Sequence, residues 1–190
     1  MLNLPYQIIL GSKSPRRQQL LETLGLPFTT RVLEVDESYS DDLQAQEIPL
    51  FLADLKANAY LPTLGANELL ITADTVVWIH GKALNKPANK VEALEMLRSL
   101  NGATHEVFTG VGITTTNRSI RFYDRTAVTF SQLTEEELHF YIDRYHPFDK
   151  AGSYGAQDWI GLVGIESLEG SYFNVMGLPV HKLYQHLKQM

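Results

Sequence analysis

The spacing of apolar residues changes along the chain, and each change predicts an element. Residues 7–10 are an apolar run containing β-branched Ile8 and Ile9, which predicts a buried strand. Residues 11–14 form a turn. Ser14-Pro15 then opens a helix, because serine caps free amides and proline fits the first helical position. Leu20, Leu21 and Leu24 share one helical face, and Gly25 with Pro27 ends it. Residues 29–35 predict a second strand, and residues 34–42 an acidic loop. Ile48, Phe51, Leu52, Leu55 and Ala59 follow helical spacing as far as Pro62. Two apolar runs, 69–73 and 76–79, flank Asp74-Thr75, and His80-Gly81 reads as a turn.

The second half follows the same logic. Val91, Leu94 and Leu97 mark a helix closed by Asn101-Gly102. Residues 106–116 and 120–130 predict a long antiparallel hairpin around Asn117-Arg118. Thr134 and Glu137 have capping-box spacing, in which each side chain satisfies the other's backbone amide. Leu138, Tyr141, Ile142 and Tyr145 continue that helix on one face. Residues 152–170 are glycine-rich, with a strand candidate at 160–165, and Val180, Leu183, Tyr184 and Leu187 form a last amphipathic helix. No repeat, low-complexity tract or linker divides the chain, so residues 1–190 read as a single mixed α/β domain with antiparallel pairs among its strands.

Composition removes several function classes. Sixteen Lys and Arg stand against 22 Asp and Glu, a formal net charge of −6. That balance argues against broad nucleic-acid binding, which needs a basic surface to replace condensed counterions. The absence of cysteine excludes disulfides, thiolate catalysis and cysteine-bound metal. No stretch approaches the roughly 20 apolar residues of a membrane helix. The segment Met1-Leu2-Asn3-Leu4-Pro5 lacks the basic start of a secretory leader, so the expectation is a soluble cytoplasmic protein.

Four segments carry candidate chemistry. Ser12-Lys13-Ser14-Pro15-Arg16-Arg17 enters a helix after a buried strand, presenting amides, two hydroxyls and planar donors suited to phosphate. The alternative is a capped helix with two solvated arginines. No Walker loop is present, because Gly81-Lys82 lacks the preceding glycine. Asp74 lies between two apolar runs, where an ionised carboxylate loses hydration unless a cation or donors compensate. Such an acid suits metal binding or water activation; the alternative is a turn aspartate at a strand break. Glu37 is a candidate second carboxylate, or one more member of a solvated acidic loop.

Lys56, Lys86 and Lys150 matter together, since an acidic protein that binds polyphosphate must concentrate cations locally. The loop Ala151-Gly152-Ser153-Tyr154-Gly155-Ala156-Gln157 allows close backbone approach to a ligand, and Gln157 can donate to and accept from a base edge. His181 and His186 are wrongly spaced for a helical zinc site, and His105-Glu106 lacks the second histidine of a zinc protease.

In their order and spacing these segments, with Lys86-Pro87, Asp149-Lys150 and the stretches 170–172 and 175–179, resemble the Maf family of nucleoside triphosphate pyrophosphatases over nearly the full chain. The resemblance implies an elongated mixed sheet flanked by helices, with two lobes around a cleft, similar to the inosine-triphosphate pyrophosphatases. It implies cleavage of a nucleoside triphosphate between the α- and β-phosphates, a divalent cation (magnesium or manganese), a homodimer and a link to septum formation. On it, Asp74 is the general base or a metal ligand and Glu37 helps to hold the cation. Lys56 and Lys86 stabilise phosphate charge, and Ser12, Ser14, Arg16 and Arg17 grip the substrate. Arg16, Thr75 and Gln157 match the subgroup acting on dTTP and UTP, although Asp158 stands where a glycine commonly follows the glutamine and Gly11 replaces a frequent alanine. Rival readings are a phosphatase or nucleotidyl transferase, and a nucleotide-binding regulator of cell division without turnover.

Overall fold

The computed structural model describes residues 2 and 4–190; Met1 and Asn3, part of the segment read for a leader, lie outside the described residues. Strand β1 (Gln7–Leu10) runs through a short loop into helix α1 (Pro15–Thr23), whose N-cap Ser14 accepts a hydrogen bond from the Arg17 amide. Strand β2 is only Phe28–Thr30, not residues 29–35. Its partner β1 is four residues long, and Leu10 pairs with Thr30, so no strand remains for the later residues to join. They peel away, and the Leu33 amide donates instead to the Tyr60 hydroxyl.

Helix α2 (Glu47–Tyr60) precedes β3 (Glu68–Ile79), a single strand through Asp74-Thr75. The expected interruption is absent because β5 (Thr104–Thr114) pairs with β3 continuously, Asp74 lying opposite Gly110. His80 and Gly81 both have positive φ, as a tight hairpin turn requires, and lead into the short strand β4 (Lys82–Leu84). Helix α3 (Lys90–Leu100), the β5–β6 hairpin with β6 at Ser119–Phe130, and helix α4 (Glu135–Tyr145) with its capping box follow the sequence pattern.

Residues 160–165 are the clearest departure. They form most of helix α5 (Trp159–Gly164) and only the first residue of strand β7 (Ile165–Glu169). Ile160 and Gly164, one helical turn apart, are buried, while Leu162 and Val163 are 79% and 44% exposed, so burial has the helical period. Helices α6 (Tyr172–Val175) and α7 (Val180–Leu187) complete the chain.

The sheet order is β2-β1-β3-β5-β6-β7, with β4 also beside β3. The β2, β1 and β3 pairings are parallel and the rest antiparallel, so this is the expected mixed α/β sheet flanked by helices. One face of β3 passes through two hydrophobic clusters. Leu69, Ile71 and Ala73 pack with Leu21 of α1 and Leu183 of α7. Val77 and Ile79 pack with Leu97 of α3 and Tyr141 of α4. The opposite face carries α2, with Val76 against Ile48 and Leu52, and Leu70 against Ala57 and Tyr60.

The outer edge of β3 positions the site. β1 pairs with Glu68 to Ile71 and β4 with Val77 to Ile79, leaving the edge between them without a strand partner among the described residues. Asp74 and Thr75 lie in that gap. Because successive residues of a strand face opposite ways, Asp74 shares the α2 face and Thr75 the α1 face.

Candidate active site

A cleft of about 640 Å³ opens at the gap. Its walls include Ser12, Ser14, Arg16, Arg17, Glu37, Lys56, Asp74, Thr75, Lys86 and Gln157, so the residues to which the resemblance assigns catalysis or substrate binding all reach one cavity, while Gly152, Ser153 and Ala156 of the glycine-rich loop do not line it. The volume lies within the roughly 300–1,000 Å³ of small-molecule sites.

On the α2 side, Lys56 donates to Asp74 Oδ1 at 2.6 Å and lies 3.2 Å from Glu37 Oε1. The Lys56 and Asp74 side chains are only 12% and 14% exposed, so each compensates the other's lost hydration. Asp74 Oδ2 has no protein partner among the described residues. Glycine places the helix: a Cβ on Gly110 would lie 2.4 Å from the Pro49 carbonyl, so α2 rests directly on the β5 backbone. Thr72 Oγ1 also donates to the Ala53 carbonyl at 2.8 Å.

On the other side, Arg17 is held at three points. Its Nε donates to the Gly177 carbonyl at 2.8 Å, Nη2 to Thr75 Oγ1 at 3.0 Å and Nη1 to Ser12 Oγ at 3.4 Å. Thr75 and Thr109 hydroxyls meet at 2.9 Å, and Thr109 donates to the Asn174 carbonyl at 3.1 Å. Since Thr109 has one proton, Thr75 donates to Thr109 and accepts from Arg17, and the chain of donors runs one way. Burial pulls the Arg17 pKa below its ordinary value, with Asp74 opposing that shift. No carboxylate forms an ion pair with Arg17 among the described residues. A half-buried cation without an ion-pair partner attracts an anion from solution. Ser12 Oγ accepts from the Ser14 amide and from Arg17, and its own proton has no protein acceptor among the described residues.

Arg16 reaches across the cleft and donates to Asp149 Oδ2 at 2.8 Å; Lys150 donates to Asp149 Oδ1 at 2.8 Å. Burial pushes the Asp149 carboxyl up, but these cations outweigh it and hold its pKa below the ordinary range. Lys86 is exposed on the wall and has no ion-pair partner among the described residues. Gln157 is exposed and makes no side-chain hydrogen bond among the described residues. Asp158, at the position where the resemblance expects glycine, turns back and accepts from the Tyr141 hydroxyl at 2.8 Å.

Some contributors were not singled out from sequence. Asp149 was read only with its neighbour Lys150, and its partner Arg16 is far away along the chain. Tyr60, whose hydroxyl holds the 31–33 wall, gave no signal beyond an apolar helix. Helical spacing puts Tyr141 on one face of α4, which the structure buries, but says nothing about where its hydroxyl ends.

Among the described residues no three His, Asp or Glu gather as a ready-made metal site. Glu37 and Asp74 nevertheless converge on one ammonium. Two carboxylates suffice for magnesium, which keeps several waters and takes further oxygens from substrate phosphates. The donor set therefore fits a hard divalent cation brought together with a nucleotide.

The sequence model of the family described as Maf-like protein matches residues 7–190. A dTTP/UTP pyrophosphatase of Bacteroides fragilis strain YCH46 is 56% identical over 186 residues, 97% of this chain and 96% of the relative. Proteins of the same name from Parabacteroides distasonis and Flavobacterium johnsoniae are 51% and 48% identical; they cover 96% of this chain and 95% and 94% of their own lengths. The solved structure of the Staphylococcus aureus Ham1 protein is similar over 65% of this chain and 71% of that one, with a TM-score of 0.45 and 12% identity.

Proposed function

The chain belongs to the Maf-like family, and on that premise we propose that it hydrolyses dTTP and UTP, the substrates in the names of its relatives, to monophosphate and pyrophosphate. The observation that carries the proposal is the cleft at the β3 gap. A carboxylate pair anchored by Lys56 faces an arginine and serine loop across a nucleotide-sized space.

The triphosphate lies along the Ser12 to Arg17 loop, where Ser12 donates its free proton and Arg17 offers the N–H groups not used within the protein. Glu37 and Asp74 would hold a magnesium or manganese ion, which when bound neutralises charge on the phosphate oxygens. Asp74 Oδ2, the oxygen that Lys56 leaves free, takes a proton from the attacking water. The water oxygen bonds to the α-phosphorus in line, the bond to the bridging oxygen breaks, and pyrophosphate leaves with the electron pair. Lys56 and Lys86 stabilise the negative charge that grows on the transferring and leaving oxygens. Gln157 pairs with the base, its amide accepting from N3–H of uracil or thymine and donating to a ring carbonyl.

The wider setting proposed is a cytoplasmic homodimer without nucleic-acid or membrane partners; among the described residues no helix is long and apolar enough to cross a membrane. The test is product analysis with UTP and dTTP in the presence of magnesium. Monophosphate plus pyrophosphate is expected, and Asp74→Asn should lower turnover by about 10²–10³-fold in a protein that still folds, with its melting point lowered by the loss of the Lys56 ion pair. Orthophosphate as product would identify a phosphatase. Tight nucleotide binding without turnover would identify a regulator of division, and near-normal turnover by Asp74→Asn would remove the aspartate from the mechanism.

A further inference from the structure

Gln157 has an exposed amide on a short loop and no protein partner among the described residues to aim it. An amide can donate and accept, so it offers one pattern to uracil and, rotated by half a turn, the complementary pattern to cytosine. Selectivity therefore requires that something else fix where the amide sits.

The backbone under Gln157 is closed by a small ring of hydrogen bonds. The Asp158 amide donates to the Gly155 carbonyl at 3.0 Å. The Gly155 amide donates to the Tyr141 hydroxyl at 3.1 Å, and that hydroxyl donates its one proton to Asp158 Oδ2 at 2.8 Å. Lys150 Nζ lies 3.7 Å from the same carboxylate oxygen. The ring is tight: a Cβ on Gly155 would lie 2.5 Å from Asp158 Oδ2. The Tyr141 ring is fully buried in the α3–α4 cluster, so its hydroxyl is a fixed post. Residues 155 and 158 are both tied to that post, and Gln157 lies between them.

We propose that Tyr141 and Asp158 are positioning residues for base selection, the hydroxyl and carboxylate together fixing the backbone from which Gln157 reads the pyrimidine. The inference rests on the proposed dTTP and UTP activity. Neither side chain touches the substrate. They act by limiting the positions the Gln157 amide can take, so their loss weakens the binding that depends on the base and leaves the chemistry at Asp74 in place.

Steady-state kinetics with UTP, dTTP, CTP and GTP test this in the full-length protein. Tyr141→Phe, which keeps the buried ring, should raise KM for UTP and dTTP about tenfold with kcat within about twofold, and leave GTP unchanged. Asp158→Ala should do the same. Asp158→Asn retains an acceptor for the tyrosine and should restore most of the selectivity. In a Gln157→Ala background Tyr141→Phe should have no further effect on base preference, because both act on one contact. Uniform losses across the four nucleotides, or effects that simply add to Gln157→Ala, overturn the inference while leaving the pyrophosphatase activity standing. Wild-type protein that releases no pyrophosphate from UTP or dTTP overturns both. Should Tyr141→Phe melt below the assay temperature, the Asp158→Ala and Asp158→Asn pair decides.

Discussion

Arg17 is held at three points: the Gly177 carbonyl, the Thr75 hydroxyl and Ser12 Oγ each take one of its N–H groups. A planar fork can reach acceptors in three directions, while an ammonium is a single point on a flexible stem. The guanidinium thus joins the Ser12 loop, β3 and the turn after α6 into one wall, keeping N–H groups over for an anion. Arg17→Lys preserves the charge and loses the fork. Hydrogen bonds to charged groups contribute about 1.5–3 kcal/mol each, so losing one should lower stability by about 2 kcal/mol. A cleft wall that is no longer fixed should also raise KM for UTP about tenfold, equivalent to about 1.4 kcal/mol of binding. Denaturant unfolding and steady-state kinetics check the two parts. Unchanged values in both would mean that charge alone matters at this position.

At the scale of elements, the Lys56–Asp74 ion pair depends on how closely α2 approaches β5. Gly110 has no side chain, and the Pro49 carbonyl occupies the space where a Cβ would stand, 2.4 Å from it. Gly110→Ala must push the helix outward and carry Lys56 away from Asp74. Overpacking of this kind costs about 1–3 kcal/mol of stability, and a displacement of about 1 Å can cost about 10² in turnover. Melting and kcat should therefore fall together; a variant that melts earlier but turns over normally would show that the Lys56–Asp74 contact is not set by this approach. Gly110 was unremarked in the sequence because its neighbour in space, Pro49, is remote along the chain. The same limit explains the other departures. Local signals were enough for β1, α1, α3 and α4, where a cap or a clear period marks each element. They failed at Asp74-Thr75, where continuity comes from pairing with β5, and at residues 160–165, an all-apolar run in which only burial reveals the period. The site was legible further than the fold because charged and hydroxyl residues beside apolar runs are informative without knowing their partners. What stayed hidden were contacts made by tips of core residues, such as the Tyr141 hydroxyl, and by acids answering distant cations, such as Asp149.

Over the whole molecule, the cleft is backed by an ionisable group that the chemistry does not use. His105 on β5 is 1% exposed and lies edge-on to Phe130 and Tyr154. Its Nε2 is 2.8 Å from the Tyr154 hydroxyl, and its Nδ1 has no hydrogen-bond partner among the described residues. Burial pushes the imidazole from its ordinary 6.5 down to about 4, so the folded protein holds it neutral. In the unfolded chain the ring takes up a proton near pH 6.5, whereas in the folded chain it does so only near pH 4. Between those values the unfolded state binds more protons, and stability falls as pH falls. The contribution is complete above pH 6.5 and gone below about pH 4, on the order of 3 kcal/mol in all. Because Tyr154 lines the cleft and packs on this ring, acid loosening there reaches the substrate cavity as well as the core. His105→Phe keeps an aromatic ring between Phe130 and Tyr154 but cannot bind a proton. It also leaves the Tyr154 hydroxyl without its partner, so absolute stability at pH 7 is the wrong readout. The slope is the right one: urea unfolding at pH 7, 5.5 and 4.5 should show a smaller loss in His105→Phe than in wild type. Parallel profiles for the two proteins would place the acid sensitivity elsewhere, among the paired carboxylates.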